Sequence, residues 1–181
     1  MSDDSNLNSD DEEGAAWPLT RASSWSFREE DAAKIHAVLE HLLAEANART
    51  ALLVDRTGQM LATVGETPTF DPVAFASLTA ADFSANDQLA KMLGEPEFGV
   101  LFHQGEKESL YLADVARRVI LVVLFDNRTT LGLVKLRVRS VVDRLTALFT
   151  DMFARQDLAP PKVEAAFLGE AEDEIDKLFG S

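Results

Sequence analysis

The feature that most constrains the fold is the unbroken apolar run VILVVLF, which ends the segment Arg117–Phe125. A strand with one solvated face alternates apolar and polar residues, whereas an unbroken run is expected where both faces are covered. We therefore predict that Arg117–Phe125 is a central strand of a sheet.

The segment FDNRTTLGLVKLRVR, from Phe125 at the end of this strand to Arg139, has a different spacing of apolar residues. Val134, Leu136 and Val138 alternate with basic residues, which would by itself suit another strand. A longer apolar series at spacings of three and four residues favours a helix, because only a helix places it on one stripe. That series is Leu131, Val134, Val138, Val141, Leu145, Leu148 and Met152.

The corner between strand and helix has a structural explanation for most of its residues. Thr129 or Thr130 can cap the first helical turn, and Asn127 tolerates a turn conformation. Asp126 is a catalytic candidate by its position at a strand end, but no Cys, His or second acid lies nearby in sequence to complete a dyad or triad. We expect Asp126 to cap the turn or to pair with Arg128.

The rest of the chain supplies four more strands and two more helices. Apolar spacing and Gly or Pro boundaries predict helices over 27–48 and 72–93 and strands over 50–54, 59–65, 98–103 and 109–114. The predicted order is α-β-β-α-β-β-β-α. We expect one such domain over 28–155, a disordered acidic tail over 1–27, and an acidic tail with a short amphipathic helix over 156–181.

The net charge of −14 argues against nucleic acid as a partner. Much of the acidity lies in the two tails, and the clustered Lys and Arg side chains that bind nucleic acid are few. The sequence contains no cysteine and no apolar run long enough for a membrane span. We expect a soluble, cytoplasmic protein.

Two further segments resemble a phosphate-binding loop and a metal site, but neither matches the full sequence pattern of such a site. Gly105–Ser109 superficially resembles a phosphate-binding loop, but its Lys107 is followed by Glu and a strand, so a hairpin turn is predicted instead. His36 and His41 lie five residues apart on a helix, whereas a helical two-histidine site uses i, i+4 spacing, and with Glu40 they lack the further ligands of a metal site. We therefore expect no active site, cofactor or metal in this chain.

The sequence does predict surfaces for partners. On the second helix we expect Phe75, Leu78, Ala85, Leu89 and Met92 to face the core, with Ala76, Ala80 and Phe83 on the opposite side. A helix that is apolar on two sides is usually covered on two sides. We therefore place Phe83 in a homodimer interface.

Two other segments are expected to bind partners. Phe98, Val100 and Phe102 share one face of a predicted edge strand, which can pair with a second copy of itself. Ile175, Leu178 and Phe179 recur at helical spacing in the C-terminal tail, in a helix too short to be stable unless it docks in a groove.

Several stretches are similar to members of the roadblock family that belong to the bacterial mutual gliding system. They are ALLVDRTGQM, FASLTAADFS, LAKMLGE, FHQGEKESLYLADVARRVILVVLFDNRTTLGLVKLRVR and the terminal EDEIDKLFG. The resemblance covers about residues 28–155 and the last ten or so. It implies an α/β (α+β) roadblock fold with a five-stranded, mostly antiparallel sheet and helices on both faces.

The resemblance also implies a function. A homodimer, its sheets joined edge to edge, would bind one GTP-loaded Ras-like GTPase of the MglA type and activate GTP hydrolysis in cell polarity or gliding motility, including at a cell pole. In that family the dimer holds the switch regions of the GTPase and inserts no arginine finger. The GTPase-facing residues would be Ala81, Ser84, Ala85 and Gln88. The segment Glu174–Phe179 would dock on the GTPase away from the switches.

One departure from the family keeps an alternative open. The family often has small residues through this helix, whereas this chain has Asp82, Phe83, Asn86, Asp87 and Gln88. A non-catalytic roadblock scaffold, which binds a GTPase or another signalling complex without stimulating hydrolysis, is the second hypothesis. A small-molecule sensor is the third, and it is disfavoured because no convergent polar pocket is evident from the sequence.

Overall fold

The computed structural model describes residues 27–157 and confirms the predicted element order. The elements are α1 (Glu29–Ala46), β1 (Thr50–Asp55), β2 (Met60–Gly65), α2 (Pro72–Met92), β3 (Val100–Gln104), β4 (Ser109–Val115), β5 (Val119–Phe125) and α3 (Leu131–Asp157). The expected N-terminal tail, apart from Phe27, and the C-terminal motif of Ile175, Leu178 and Phe179 lie outside the described residues.

The five strands form one sheet in the order β2-β1-β5-β4-β3. Each described strand pair is antiparallel. Every residue of β5 is buried, as predicted for a central strand. This strand begins at Val119 instead of Arg117, because Ala116 and Arg117 have φ values of 53° and 59° and form the turn after β4.

Helices cover both faces of the sheet. One face and α2 form a core cluster that comprises Leu52, Val54, Ala76, Phe83, Leu112, Ile120, Val122 and Leu124. On the other face, Leu53 lies beside Ile35 of α1. The α3 residues Val134, Val138, Val141 and Leu145 are buried, which confirms these members of the predicted helical stripe, whereas its first member, Leu131, is 38% exposed. By its contacts the chain divides after Leu148, and in the later unit the rings of Phe149 and Phe153 lie 6.0 Å apart.

The predicted orientation of α2 is wrong. Its buried residues are Ala76, Thr79, Ala80, Phe83, Asn86 and Ala90. Of the predicted core stripe, Phe75 is partly buried against the core cluster, whereas Leu78, Ala85, Leu89 and Met92 are exposed. The larger side chains suggested the wrong core stripe, because small residues on the inner face let the helix lie close to the sheet. Phe83 is 0% exposed and fills the core, so its assignment to a dimer interface is also wrong.

The corner after β5 is built as expected. The Thr130 Oγ1 accepts a hydrogen bond from the backbone N–H of Leu133 at 3.3 Å, so Thr130 provides the cap. The Asp126 carboxylate accepts hydrogen bonds from the backbone N–H and the Nε of Arg128, each at 3.0 Å. The 105–109 segment is a hairpin turn, in which the Gly105 N–H donates to the Glu108 carbonyl at 3.0 Å.

Candidate protein-interaction surface

The outward face of α2 carries the predicted partner-facing residues. Its first turn is fixed by Asp71, whose Oδ1 accepts hydrogen bonds from the backbone N–H groups of Val73 and Ala74 at 2.8 and 3.2 Å. Ala81, Ser84, Ala85 and Gln88 all lie on the exposed side of the helix. The structure therefore brings these four side chains together on one surface.

Large apolar side chains flank this face. Leu78 is 70% exposed and Met92 is 81% exposed, and Leu89 lies between them on the same side. The middle of the stripe consists of the small residues Ala81 and Ala85, which allow a partner backbone to approach closely. Exposed apolar side chains that share one helix face make this face a candidate protein-interaction surface.

Four of the five residues that depart from the family pattern do not enlarge this face, whereas the fifth, Gln88, lies exposed on it. Phe83 is buried, and Asp82, Asn86 and Asp87 reach sideways or inward. Asp82 Oδ2 lies 2.7 Å from His103 Nε2 of β3, and Asn86 Nδ2 donates to the Phe98 carbonyl at 2.8 Å. The bulk of these four side chains is therefore directed away from Ala81, Ser84 and Ala85, and Gln88 is the departure that adds bulk to the face.

Asp87 is held by an arginine that the sequence analysis missed. Arg56, in the β1–β2 turn, donates from Nη1 to Asp87 Oδ2 at 2.8 Å and from Nη2 to Asp114 Oδ1 of β4. Its guanidinium also lies over the Phe83 ring, 4.6 Å from the centroid. The signal available in the sequence was only a charged residue within a tight Asp-Arg-Thr-Gly turn.

Strand β3 is the second predicted interaction surface, and it lies at one end of the sheet. Val100 and Phe102 are 46% and 37% exposed, and the Phe102 ring stacks on Phe125 at 6.2 Å. Phe98 was predicted to belong to the same strand, but it lies before the first residue of β3 and is half-buried, less exposed than Val100 and Phe102. An edge strand with exposed apolar residues is suited to pairing with another strand.

A second ionic network ties the corner after β5 to the sheet. Arg128 donates from Nη2 to Glu66 Oε1 at 2.9 Å, in addition to its bonds to Asp126. Arg49 donates from Nε to Glu66 Oε2 at 2.7 Å and also pairs with Glu108. Arg128 therefore has two carboxylate partners, as expected for a corner ion pair.

This network lowers the pKa values of two of its carboxylates. The pKa of Glu66 is lowered by the hydrogen bond from Arg49 and then by that from Arg128. The pKa of Asp126 is lowered chiefly by the hydrogen bonds from Arg128. Both folded-state pKa values lie below the ordinary 4.5 and 3.8, so this stabilisation is present above those values and is lost as the pH falls through the lowered pKa values.

We expect the Glu66→Gln variant to have a lower Tm than the wild type at neutral pH, with the difference shrinking progressively below about pH 4. The reason is that acid protonates Glu66 in the wild type and removes the charge that the variant already lacks. Thermal unfolding across the pH range measures this difference, with Glu40→Gln on the exposed side of α1 as a matched control. A difference between wild type and Glu66→Gln that does not change with pH would contradict the assignment.

The described residues also bear on metal binding, polar pockets and membrane-spanning helices. Within residues 27–157, no group of His, Asp or Glu side chains has the geometry of a metal site. An open groove of about 760 Å³ lies beside the β3–β4 turn, and its lining includes Arg49, Glu108 and Asp126. Arg49 pairs with Glu108 in this groove, and its Nε lies 3.9 Å from Asp126 Oδ2. None of the helices in the described part of the chain is long and apolar enough to cross a membrane.

Comparisons with known proteins agree with this architecture. The Roadblock/LC7 domain matches residues 34–125. The structure is similar to Myxococcus xanthus MglB, with 46% identity and a TM-score of 0.67 over 71% of this chain and 96% of that one. The gliding protein MglB from Thermus thermophilus is 35% identical, with a TM-score of 0.64 over 69% of this chain and 95% of that one.

A further solved structure, described as MglB with tetrameric arrangement, is 34% identical and has a TM-score of 0.67 over 71% of this chain and 97% of that one. No curated protein sequence matches this chain. The match of the domain to half of the chain and the high coverage of these structures together identify the family. The chain belongs to the Roadblock/LC7 domain family and is similar, within it, to the MglB proteins of gliding systems.

Proposed function

We propose that this protein is a GTPase-activating protein for a small Ras-like GTPase of the MglA type, acting in cell polarity or gliding motility. The observation that carries the proposal is the outward face of α2, where Ala81, Ser84 and Ala85 are exposed and small. A switch segment of the GTPase can approach such a face closely. The similarity to MglB structures supports the same proposal.

The active species in this proposal is a homodimer joined through β3. Val100 and Phe102 are exposed at the end strand of the sheet, and pairing with a second copy would cover them. The same pairing would bring two copies of α2 close together, so that one GTPase can contact both. Leu78 and Met92, which are exposed in a single chain, provide apolar area for the contacts with the GTPase.

Activation is proposed to arise from positioning, without an arginine finger. Phosphoryl transfer is accelerated mainly by placing groups correctly and by electrostatic stabilisation, and a partner can contribute by fixing the switch regions of the GTPase. Arg128 would have to leave both Asp126 and Glu66 to enter a GTPase site. Arg56 would likewise have to leave Asp87 and Asp114.

Single-turnover GTP hydrolysis by an MglA-type GTPase tests this proposal, with and without a twofold excess of this protein. We expect acceleration on the order of a hundred-fold or more, the size of effect that correct positioning can provide. Arg128→Ala should retain most of that acceleration, because its role is structural. The matched control is Arg139→Ala on the exposed side of α3.

The outcomes separate the hypotheses. Loss of acceleration in Arg128→Ala, with an unchanged Tm and unchanged binding, would identify an arginine finger and contradict the mechanism. Binding of the GTPase by the wild type without acceleration would favour the scaffold hypothesis instead.

A further inference from the structure

The packing of α2 on the sheet depends on few large side chains. Of its six buried residues, three are alanines and one, Phe83, is aromatic, and the partly buried Phe75 also packs against the core cluster. Interlocking of differently shaped side chains is what fixes a single arrangement of packed elements, and alanines contribute little to it. The rotation of α2 about its axis therefore has to be fixed in part by polar contacts.

Arg56 provides such a contact from a rigid support. In the turn that carries it, Asp55 Oδ1 accepts hydrogen bonds from the backbone N–H groups of Thr57 and Gln59, each at 2.9 Å. The Arg56 N–H donates to the Arg118 carbonyl at 3.1 Å, which joins the turn to the start of β5. The guanidinium therefore extends from a backbone that is fixed on both sides.

The turn also meets α2 at a second place. A Cβ on Gly58, where φ is +90°, would lie 3.0 Å from the Ser77 Cα, so the turn backbone abuts the first half of the helix. Arg56 reaches the second half through Asp87. The two contacts lie ten residues apart on α2, at Ser77 and Asp87, and together they define how the helix is rotated on the sheet.

The chemistry of Arg56 suits this role. A guanidinium is a planar fork that can bind two carboxylates while it stacks on an aromatic ring, whereas a lysine ammonium has no such fork. Asp87 and Asp114 are both within reach of this one cation. Without it, two neighbouring carboxylates would repel each other, and the repulsion would push the Asp87 side of α2 away from β4.

We propose that Arg56 is a positioning residue that fixes the rotation of α2 and so presents Ser84 and Gln88 to the GTPase. This inference rests on the proposed function for the identity of the partner. Ser84 and Asp87 line the same cavity as Arg56, which has a volume of about 330 Å³. Because Ser84 and Asp87 lie three residues apart on α2, a rotation of the helix that shifts Asp87 also shifts Ser84. Arg56 acts through α2 and does not itself enter the GTPase.

Arg56→Gln and Arg56→Lys test this role, with Arg117→Gln as a matched control. Arg117 lines the same cavity, but its side chain is 75% exposed and pairs with Glu97, outside α2. Amide hydrogen exchange of the protein without partner is measured first. We expect roughly ten-fold faster exchange confined to α2 in Arg56→Gln, a smaller change in Arg56→Lys and none in Arg117→Gln.

GTPase binding and hydrolysis are measured next with the same variants. Arg56→Gln should weaken binding roughly ten-fold and leave the rate of hydrolysis at saturating protein close to that of the wild type, because a correctly rotated α2 is still selected on binding. Faster exchange without weaker binding would overturn the proposal, because Arg56 would then be merely structural. Exchange and binding equal to those of Arg117→Gln would also overturn it.

Two outcomes keep this inference separate from the proposed function. If the wild type binds no GTPase, the proposed function fails, and the exchange comparison still decides whether Arg56 holds α2. If Arg56→Gln does not fold, Asp87→Asn replaces it, because this change weakens the link to α2 while the pair of Arg56 with Asp114 remains. Asp87→Asn should also increase exchange in α2, and unchanged exchange would overturn the inference.

Discussion

Replacing Ser84 and Gln88 together with arginine is expected to weaken GTPase binding by at least about a hundred-fold. Both side chains lie on the exposed side of α2 beside the small residues Ala81 and Ala85. Two long cations would prevent close approach, and an unpaired charge buried in an interface is costly. Titration calorimetry with the GTP-loaded GTPase measures the loss.

The fold and the homodimer should survive this double change, because neither residue is buried. Ser140→Arg on the exposed side of α3 is the matched control and should bind as the wild type does. Equal affinity of the double variant and the control would place the GTPase site elsewhere on the chain.

The second large effect concerns stability. Phe83→Ala should lower the free energy of unfolding by about 3–5 kcal/mol, the usual cost of removing a buried phenylalanine side chain. Phe83 is fully buried between α2 and the sheet, and its ring also contacts the guanidinium of Arg56. Urea unfolding measures the change.

Leu78→Ala provides the contrast, because Leu78 was expected in the core and is exposed. Substitution of an exposed residue usually changes stability by less than about 0.5 kcal/mol. A large loss of stability in Leu78→Ala with little loss in Phe83→Ala would contradict this orientation and favour the predicted one, in which Leu78 faces the core.

Local sequence signals predicted much of the fold. The run VILVVLF specified a buried central strand, because an unbroken apolar segment is stable only where both faces are covered. The corner was also predictable, since the bonds of Asp126 with Arg128 and of Thr130 with Leu133 join residues two and three positions apart. Such interactions depend on the order of neighbouring residues and little on the rest of the molecule.

The orientation of α2 was not predictable in the same way. Both sides of this helix are apolar, and a comparison of side-chain size selected Leu78 and Leu89 over the alanines. The sheet selects the opposite side, because small residues permit close packing and leave room for the fully buried ring of Phe83, while Phe75 packs partly buried against the same cluster. The periodicity correctly indicated a helix with two apolar sides, but it could not decide which side faces the core.

The candidate site was likewise predicted only in part, because sequence patterns do not reveal contacts between residues far apart in the chain. The resemblance to the roadblock family indicated Ala81, Ser84, Ala85 and Gln88, and the structure places all four on one exposed face. Arg56 was missed because its two carboxylate partners lie 31 and 58 residues away along the chain. The structure also resolves the departures at Asp82 and Asp87, which bind His103 and Arg56 beside or beneath the face.

A photo-crosslinking amino acid placed at Gln88 tests most directly whether the outward face of α2 binds the GTPase. The same amino acid at Leu136, an exposed apolar position on α3, is the control. We predict a crosslink to the GTP-loaded GTPase from position 88 and none from position 136. A crosslink from position 136 with none from position 88 would contradict this assignment of the binding surface.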